Sequence, residues 1–235
     1  MKKSILNHEY IKNSITKNNG KDDVKYRWSH GATTKHLGDG MILYSMMYFF
    51  KPTISVCLGS GGGYIPRIMW SCISDLRQEG YDGKGESRVI LVDAVNGVNG
   101  EPDWTDEDSF YRTNFNSEWL HETTEKAYYE YFVKRDMRID LLWIDADHSL
   151  EGVKKDFDLY SEIMSDNGII MIHDTDKNYV DNFIEIEEHE DYDLSGPSQF
   201  IKTLDSDKFE ILNLFNYGIE KDFPSSTGLT IVRKK

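Results

Sequence analysis

Three short stretches of this 235-residue chain hold residues whose types and spacing could do chemistry. The first is Val56-Cys57-Leu58-Gly59-Ser60-Gly61-Gly62-Gly63, a glycine run lying between a strand-like and a helix-like segment. Glycines there let the backbone turn sharply and come close to a ligand, while free N–H groups at a helix start can receive a carboxylate or phosphate. Gly59, Ser60, Gly61, Gly63 and Tyr64 are the candidate contacts. The second stretch is Asp93-Ala94, at the end of the next strand-like run, where a carboxylate can accept both hydroxyls of an adenosine ribose. Asp93 could equally cap a helix or sit in a solvated loop. The gap from the glycines exceeds the usual twenty or so residues, and the polar insertion Glu79 to Ser87 accounts for the excess.

The third stretch is Ile139-Asp140-Leu141-Leu142-Trp143-Ile144-Asp145-Ala146-Asp147-His148-Ser149, and the following strand-like run ends Ile172-His173-Asp174. Ligands of open α/β sheets bind at the carboxyl ends of parallel strands. Neighbouring strands lie about 4.7–4.9 Å apart, so adjacency would bring Asp145 and Asp174 to one point. Two such carboxylates repel, and a hard divalent cation removes the repulsion. Asp145, His173 and Asp174 are thus the candidate metal ligands. His148, with an ordinary pKa of about 6.5, is the candidate base. Each has a plainer alternative. Asp145 could contact a cofactor without metal, Asp174 could cap the next segment, and His173 could simply pack at a strand end. His148 could be a helix-start residue, with Asp147 and Ser149 capping the helix that begins near Leu150. His30, His36 and His121 carry no spacing signal and read as ordinary surface or core histidines.

The elements that must position these residues follow from hydrophobic period. Met41 to Phe50 reads as an apolar helix with Asp39 near its N-cap, ended by Pro52. Ile54 to Leu58 and Arg88 to Val92 read as buried strands, with Glu118 to Leu120 a weaker third and Ile139 to Ile144 the strongest. Ile65, Ile68, Met69, Cys72, Ile73 and Leu76 recur at helical spacing. Lys126 to Lys134 is a further helix, as is the stretch marked by Val153, Phe157, Tyr160 and Met164. Asp166-Asn167-Gly168 makes a turn into a strand Ile169 to Ile172. A helix near Ser198 to Leu204 then leads to strands Phe209 to Phe215 and Gly228 to Arg233, joined without a helix and so expected to form an antiparallel hairpin. The reading is an α/β, Rossmann-like, doubly wound, mostly parallel seven-stranded sheet with a C-terminal antiparallel hairpin. Residues 1–40 form an N-terminal arm or cap, and 41–235 the domain itself. The loop Asn96 to Phe115, with Trp104, Phe110 and Tyr111, and the acidic segment Glu185 to Asp193 are candidate walls over a substrate, or solvated surface loops.

Bulk properties exclude some partners. A formal net charge of −14 argues against a nucleic-acid backbone. No apolar run reaches the roughly 18 residues of a membrane span, and the N-terminus lacks a signal-peptide core. Cys57 and Cys72 fall inside apolar patterns, as buried thiols of a reducing compartment do. A cytoplasmic location is the expectation.

The glycine pattern G-x-G-x-G resembles motif I of class I S-adenosylmethionine-dependent methyltransferases. A dinucleotide loop wants a third glycine where this chain has Tyr64. Such motifs often carry an acid two places before the first glycine, where this chain has Cys57. The stretch Trp143-Ile144-Asp145-Ala146-Asp147-His148-Ser149-Leu150-Glu151-Gly152-Val153-Lys154-Lys155-Asp156-Phe157, with Asn167-Gly168-Ile169-Ile170-Met171-Ile172-His173-Asp174, resembles the metal-assisted branch that includes cephalosporin-hydroxylase-like proteins and sugar O-methyltransferases. The resemblance covers roughly residues 40 to 235 and implies S-adenosylmethionine and a divalent metal, Mg2+ by expectation. It makes Asp145 and Asp174 metal ligands and His148 the base. His173 stands where some relatives have an acid. It also implies an adenine contact near Glu122-Thr123-Thr124, with Thr123 the candidate. The reaction implied is O-methylation of a small polyhydroxylated or glycan acceptor, and such enzymes often associate, which leaves room for a homo-oligomer. A nicotinamide-dependent oxidoreductase, and a non-catalytic binding protein on the same fold, are the alternatives.

Overall fold

A computed structural model of the chain describes residues 17–18, 21–22, 30, 37–59, 63–81, 86–94, 116–176, 195–215 and 227–235. The chain divides into two compact units, Met1–His121 and Glu122–Lys235. The loop 96–115, the segment 185–193 and most of residues 1–40 lie outside the described residues. Of the arm, Lys17–Asn18 and Lys21–Asp22 pair as a two-residue antiparallel ladder.

In the first unit, helix α1 (Asp39–Phe50) follows Gly38, so Asp39 opens the first turn instead of preceding it. Lys51 ends the helix in the left-handed region (φ 54°), one residue before Pro52 excludes any continuation. Strand β1 (Ile54–Leu58), helix α2 (Tyr64–Gln78), strand β2 (Arg88–Val92) and strand β3 (Glu118–Leu120) come next. β1 runs parallel to β2, from Ile54↔Arg88 to Leu58↔Val92, and β2 runs parallel to β3. The periodic residues of α2, Ile65, Ile68, Met69, Cys72, Ile73 and Leu76, are all buried. Tyr44 of α1 donates a 2.6 Å hydrogen bond to Asp75 of α2 and fixes the register of the two helices. Both cysteines are free and buried, and burial pushes the Cys72 thiol up to about 12.

In the second unit, α3 (Thr124–Ala127) passes into a π turn over Tyr128–Phe132 and a 3-10 turn over Val133–Arg135. The span expected as one regular helix thus changes pitch. The wider turn lets Tyr128 and Phe132 both pack against the ring of Tyr160, each with centroids 5.5 Å away. Strand β4 (Ile139–Ile144), helix α4 (Leu150–Ser161) and strand β5 (Met164–His173) follow. Met164, helical by period, belongs to β5. Asp166-Asn167-Gly168 is a bulge within that strand, since Ile139 pairs with Met164 while Leu141 already pairs with Ile169. Ser165 pins the bulge by donating to Asp140 at 2.7 Å. Gly168 makes room there: a Cβ would lie 2.7 Å from the Met164 side-chain methyl and 3.0 Å from the Ile139 and Ser165 carbonyls.

A short helix α5 (Gly196–Phe200) precedes strands β6 (Phe209–Leu214) and β7 (Leu229–Lys234). β7 is antiparallel to both β5 and β6, and the order in this unit is β4-β5-β7-β6. Among the described residues, strands β1 to β7 and their helices are those of a Rossmann-like α/β fold, mostly parallel with an antiparallel pair at the C-terminal end. Among the described residues no helix is long and apolar enough to cross a membrane.

Candidate active site

Two sets of residues collect at strand ends, one in each unit. In the first unit β1 runs straight into Gly59, whose φ of 69° only glycine adopts without strain. Gly59 N–H donates to the Val92 carbonyl at 2.8 Å, so the glycine turn is tied to the strand that delivers Asp93. Cys57, in the place where an acid is common, turns its thiol onto the Gly59 carbonyl at 3.0 Å. Gly63 (φ 86°) caps α2. Ser60, Gly61 and Gly62 lie outside the described residues. Tyr64 is fully buried, its hydroxyl donating to the Leu37 carbonyl at 2.6 Å. What it can offer a ligand is therefore backbone.

Asp93 is 5% exposed, and its N–H donates to the Leu120 carbonyl at 3.1 Å. Beside it His121, which carries no signal in the sequence, places Nε2 3.1 Å from the Ala94 carbonyl and stacks on Trp119 at 5.0 Å. The turn after β2 is thus braced from β3. Thr123, in the second unit, caps α3 by accepting from the Lys126 N–H at 3.3 Å.

The second unit gathers acids and imidazoles where β4 and β5 end. His148 Nε2 lies 3.2 Å from Asp145 Oδ1 and 2.7 Å from Asp174 Oδ2. His173 Nδ1 lies 3.3 Å from Asp145 Oδ1 and 3.2 Å from Asp174 Oδ1. Each imidazole therefore bridges the same two carboxylates. Burial alone would lower the pKa of His148, but hydrogen bonds to Asp145 and Asp174 and their negative charge outweigh it, pushing the imidazole up to about 10. His173 is raised for the same reasons, again against its burial. Burial would raise Asp174, yet the charge of His173 and the bonds from both histidines hold its carboxyl well below the usual range. The same two carboxylates thus favour the charged form of both imidazoles.

Local sequence explains why the residues stay there. Asp147 Oδ1 accepts from the Ser149 N–H at 2.9 Å, and Ser149 caps α4 by accepting from the Gly152 N–H at 3.0 Å. Gly152 has to be glycine because a Cβ would meet the Asp147 carboxyl group at 2.3 Å. The His148 carbonyl accepts from the Gly196 N–H at 3.1 Å, and a Cβ on Gly196 would stand 2.2 Å from that oxygen. Asp174 takes a left-handed backbone (φ 57°), a conformation in which Asp is enriched among non-glycine residues. His173 stacks on Trp143 at 5.7 Å and sets Nε2 3.0 Å from the hydroxyl of Thr227. Gly196 and Thr227 are absent from the sequence-based candidates. The only trace of either is a glycine beside it, at Gly228, or a proline, at Pro197.

A family model described as a methyltransferase domain matches residues 56–175, half of the chain. The chain belongs to this methyltransferase family. No curated protein matches the methyltransferase by sequence. Among solved structures it is similar to an O-methyltransferase from Bacillus cereus in complex with SAH (TM-score 0.62, 15% identity, 84% of this chain and 80% of the other). It is similar to the O-methyltransferase TomG from Streptomyces achromogenes, in complex with SAM (TM-score 0.59, 10% identity, 84% and 79%). A third similar structure is the SAH-bound methyltransferase PaMTH1 of Podospora anserina (TM-score 0.55, 16% identity, 84% and 78%). At these identities the likeness establishes the fold, which is the Rossmann-like one expected from the sequence. The matched span of the methyltransferase runs from the glycine turn through the Asp145–Asp174 cluster.

Proposed function

We propose that this methyltransferase uses S-adenosylmethionine to methylate a hydroxyl oxygen of a small polyhydroxylated acceptor, such as a sugar, with a divalent cation assisting. The observation that carries the proposal is the cluster of Asp145, His148, His173 and Asp174 at the ends of β4 and β5. In a chain whose family transfers methyl groups, these are groups that can orient and deprotonate a hydroxyl. The glycine turn, Gly59 to Gly63 with Tyr64, and Asp93 with Ala94 are assigned to the cofactor, and Thr123 to its adenine end.

The donor set fits a divalent cation. Ligating atoms of Asp145, His148 and Asp174 lie within 4.8 Å of one another, and oxygen and imidazole donors suit such ions. Asp145 and Asp174 of that set would hold it, with His173 Nδ1, 3.3 and 3.2 Å from their Oδ1 atoms, as the further expected ligand, and when bound it would supply Lewis acidity that lowers the acceptor hydroxyl's pKa and fixes its orientation. The protein's own residues do the rest. His148, whose Nε2 lies between the two carboxylates, would take the acceptor's proton as a neutral imidazole, the form favoured once a cation offsets the charge of Asp145 and Asp174. The sulfonium is already activated, so the remaining contribution is proximity and alignment. Net charge of −14 favours a small acceptor over nucleic acid, and two buried free thiols fit a cytoplasmic setting.

The test is direct. Calorimetric titration with S-adenosylhomocysteine and with NAD should show binding of the first alone. Turnover of S-adenosylmethionine with a panel of sugars and other polyols, with and without chelator, should give cation-dependent S-adenosylhomocysteine release and a methyl ether detectable by mass. Preference for NAD would sink the cofactor assignment. Turnover indifferent to chelator would sink the metal.

A further inference from the structure

A strand at the end of a sheet presents a row of unpaired N–H and C=O groups, and chains ordinarily blunt it with shortness, lysine, proline or a bulge. In the first unit the outermost strand, β3, is three residues long, and its Glu118 is clasped by the Arg88 guanidinium of β2. In the second unit the outermost strand is β6, and among the described residues nothing pairs with its outer side. It runs Phe209-Glu210-Ile211-Leu212-Asn213-Leu214, without lysine, proline or glycine. Its register with β7 is unbroken from Phe209↔Lys234 to Leu214↔Leu229, so no bulge twists it away. On one face Phe209 packs on Phe157 of α4, and Asn213 accepts from the Thr230 hydroxyl. On the other face Leu212 is 54% exposed, and Glu210, the strand's one charge, is neutralised by Arg233 at 2.6 Å. Phe215, just past the strand, is 42% exposed. The edge is long, apolar and undefended.

We infer that a second copy of this chain pairs with β6 edge to edge, antiparallel, about a twofold axis at Leu212. A twofold that makes two strands antiparallel neighbours stands perpendicular to the sheet and keeps each face on its own side. Because side chains alternate between faces, the axis passes through a residue and not between two. Set at Leu212, it overlaps the whole strand. Leu212 meets Leu212 of the copy, Ile211 meets Asn213, Glu210 meets Leu214 and Phe209 meets Phe215. No acid faces an acid, and apolar and aromatic cross-strand pairs of this kind are stabilising. An axis at Glu210 would instead oppose two carboxylates directly. Charge selects a copy as the occupant. At a formal net charge of −14 two copies repel each other as wholes. Contact is least opposed at an edge whose single acid already has its arginine.

The experiment is sedimentation velocity of the whole protein over a range of micromolar concentrations. Wild type, Leu212→Val, Leu212→Lys, Leu212→Cys and Glu210→Cys are compared, with circular dichroism confirming that each is folded. Wild type and Leu212→Val should sediment at twice the chain mass. Leu212→Lys sets two ammonium groups face to face on the axis and should sediment as a monomer. Leu212→Cys treated with diamide, which takes up the two thiol hydrogens, should give a disulfide-linked dimer on a non-reducing gel. Directly opposed residues have Cα atoms about 4.5–5.5 Å apart, inside the disulfide range. Glu210→Cys should give none, because the two copies of that residue lie more than about 13 Å apart along the strands. The native thiols of Cys57 and Cys72 are buried, and wild type is the blank. A wild type that stays monomeric across the range overturns the inference, whatever other strand the edge then serves. A dimer that persists in Leu212→Lys and is not trapped by Leu212→Cys meets elsewhere, and overturns it too. Trapping by Glu210→Cys in preference to Leu212→Cys refutes the axis at Leu212.

Discussion

Replacing Asp156 by Asn should stabilise the protein at neutral and alkaline pH, and by an amount the structure allows to be worked out. Asp156 lies on α4, is 2% exposed, and accepts a hydrogen bond from the Thr124 hydroxyl on one oxygen. Its other oxygen, Oδ2, is buried with no hydrogen-bond partner. Burial raises the carboxyl from 3.8 to about 6, against the Thr124 bond and the charge of Lys155, which pull it down, and with Asp147, which pushes it up. A raised carboxyl means that the folded protein keeps its proton where the unfolded chain has lost it. Stability therefore falls as pH rises from the unfolded value through about 6 and is level above that. A difference of about two units at ~1.4 kcal/mol each gives a penalty of about 3 kcal/mol above that window. Asn keeps the oxygen that faces Thr124 and removes the charge, but it buries an amide N–H group without a partner at a cost of about 1 kcal/mol. The net gain is then about 2 kcal/mol near pH 8, turning to a loss of about 1 kcal/mol near pH 4. Urea denaturation followed by circular dichroism, wild type against Asp156→Asn at several pH values, measures it. A difference between the two proteins that does not change with pH would refute the reasoning.

Other expectations concern the cluster and its supports. His148→Gln should lower methyl transfer by about 10²–10⁴-fold, read as S-adenosylhomocysteine release, with S-adenosylhomocysteine affinity unchanged by calorimetry. Asp174→Asn keeps the left-handed backbone that Asn tolerates, so the circular dichroism should be native while divalent-cation binding, read by calorimetric titration with Mg2+, is lost. Gly196→Ala drives a methyl group into the His148 carbonyl, for which a cost of about 1–3 kcal/mol is expected as a lower thermal midpoint, together with reduced turnover.

Much of the fold is legible because its signals are local. Ile54–Leu58, Arg88–Val92 and Ile139–Ile144 are continuous apolar runs with polar ends, and the observed strands share their bounds. Where the reading slipped, a tertiary contact overrode the local pattern. Met164 fits the period of α4, yet pairing with Ile139 draws it into β5, and the turn signal Asp166-Asn167-Gly168 is absorbed as a bulge. Tyr128 and Phe132 widen their helix to meet Tyr160, a ring some thirty residues away in sequence. In the cluster the acids and histidines are visible because chemistry-bearing side chains at the ends of apolar runs stand out. Their supports are not. Gly196 acts through a backbone N–H, Thr227 through one hydroxyl, and His121 through a carbonyl contact across two strands. None of these has a signature that spacing could reveal.

Residue 176, held to the Thr227 carbonyl, and residue 196, held to the His148 carbonyl, are the two stems of the intervening chain, and both are moored to the backbone around the cluster. Length and composition between those moorings can change without moving Asp145, His148, His173 or Asp174. For an engineer this is a grafting site. Segments exchanged between positions 177 and 194 should leave the acids where the two moorings hold them, so sequence there can be varied separately from the geometry of the cluster.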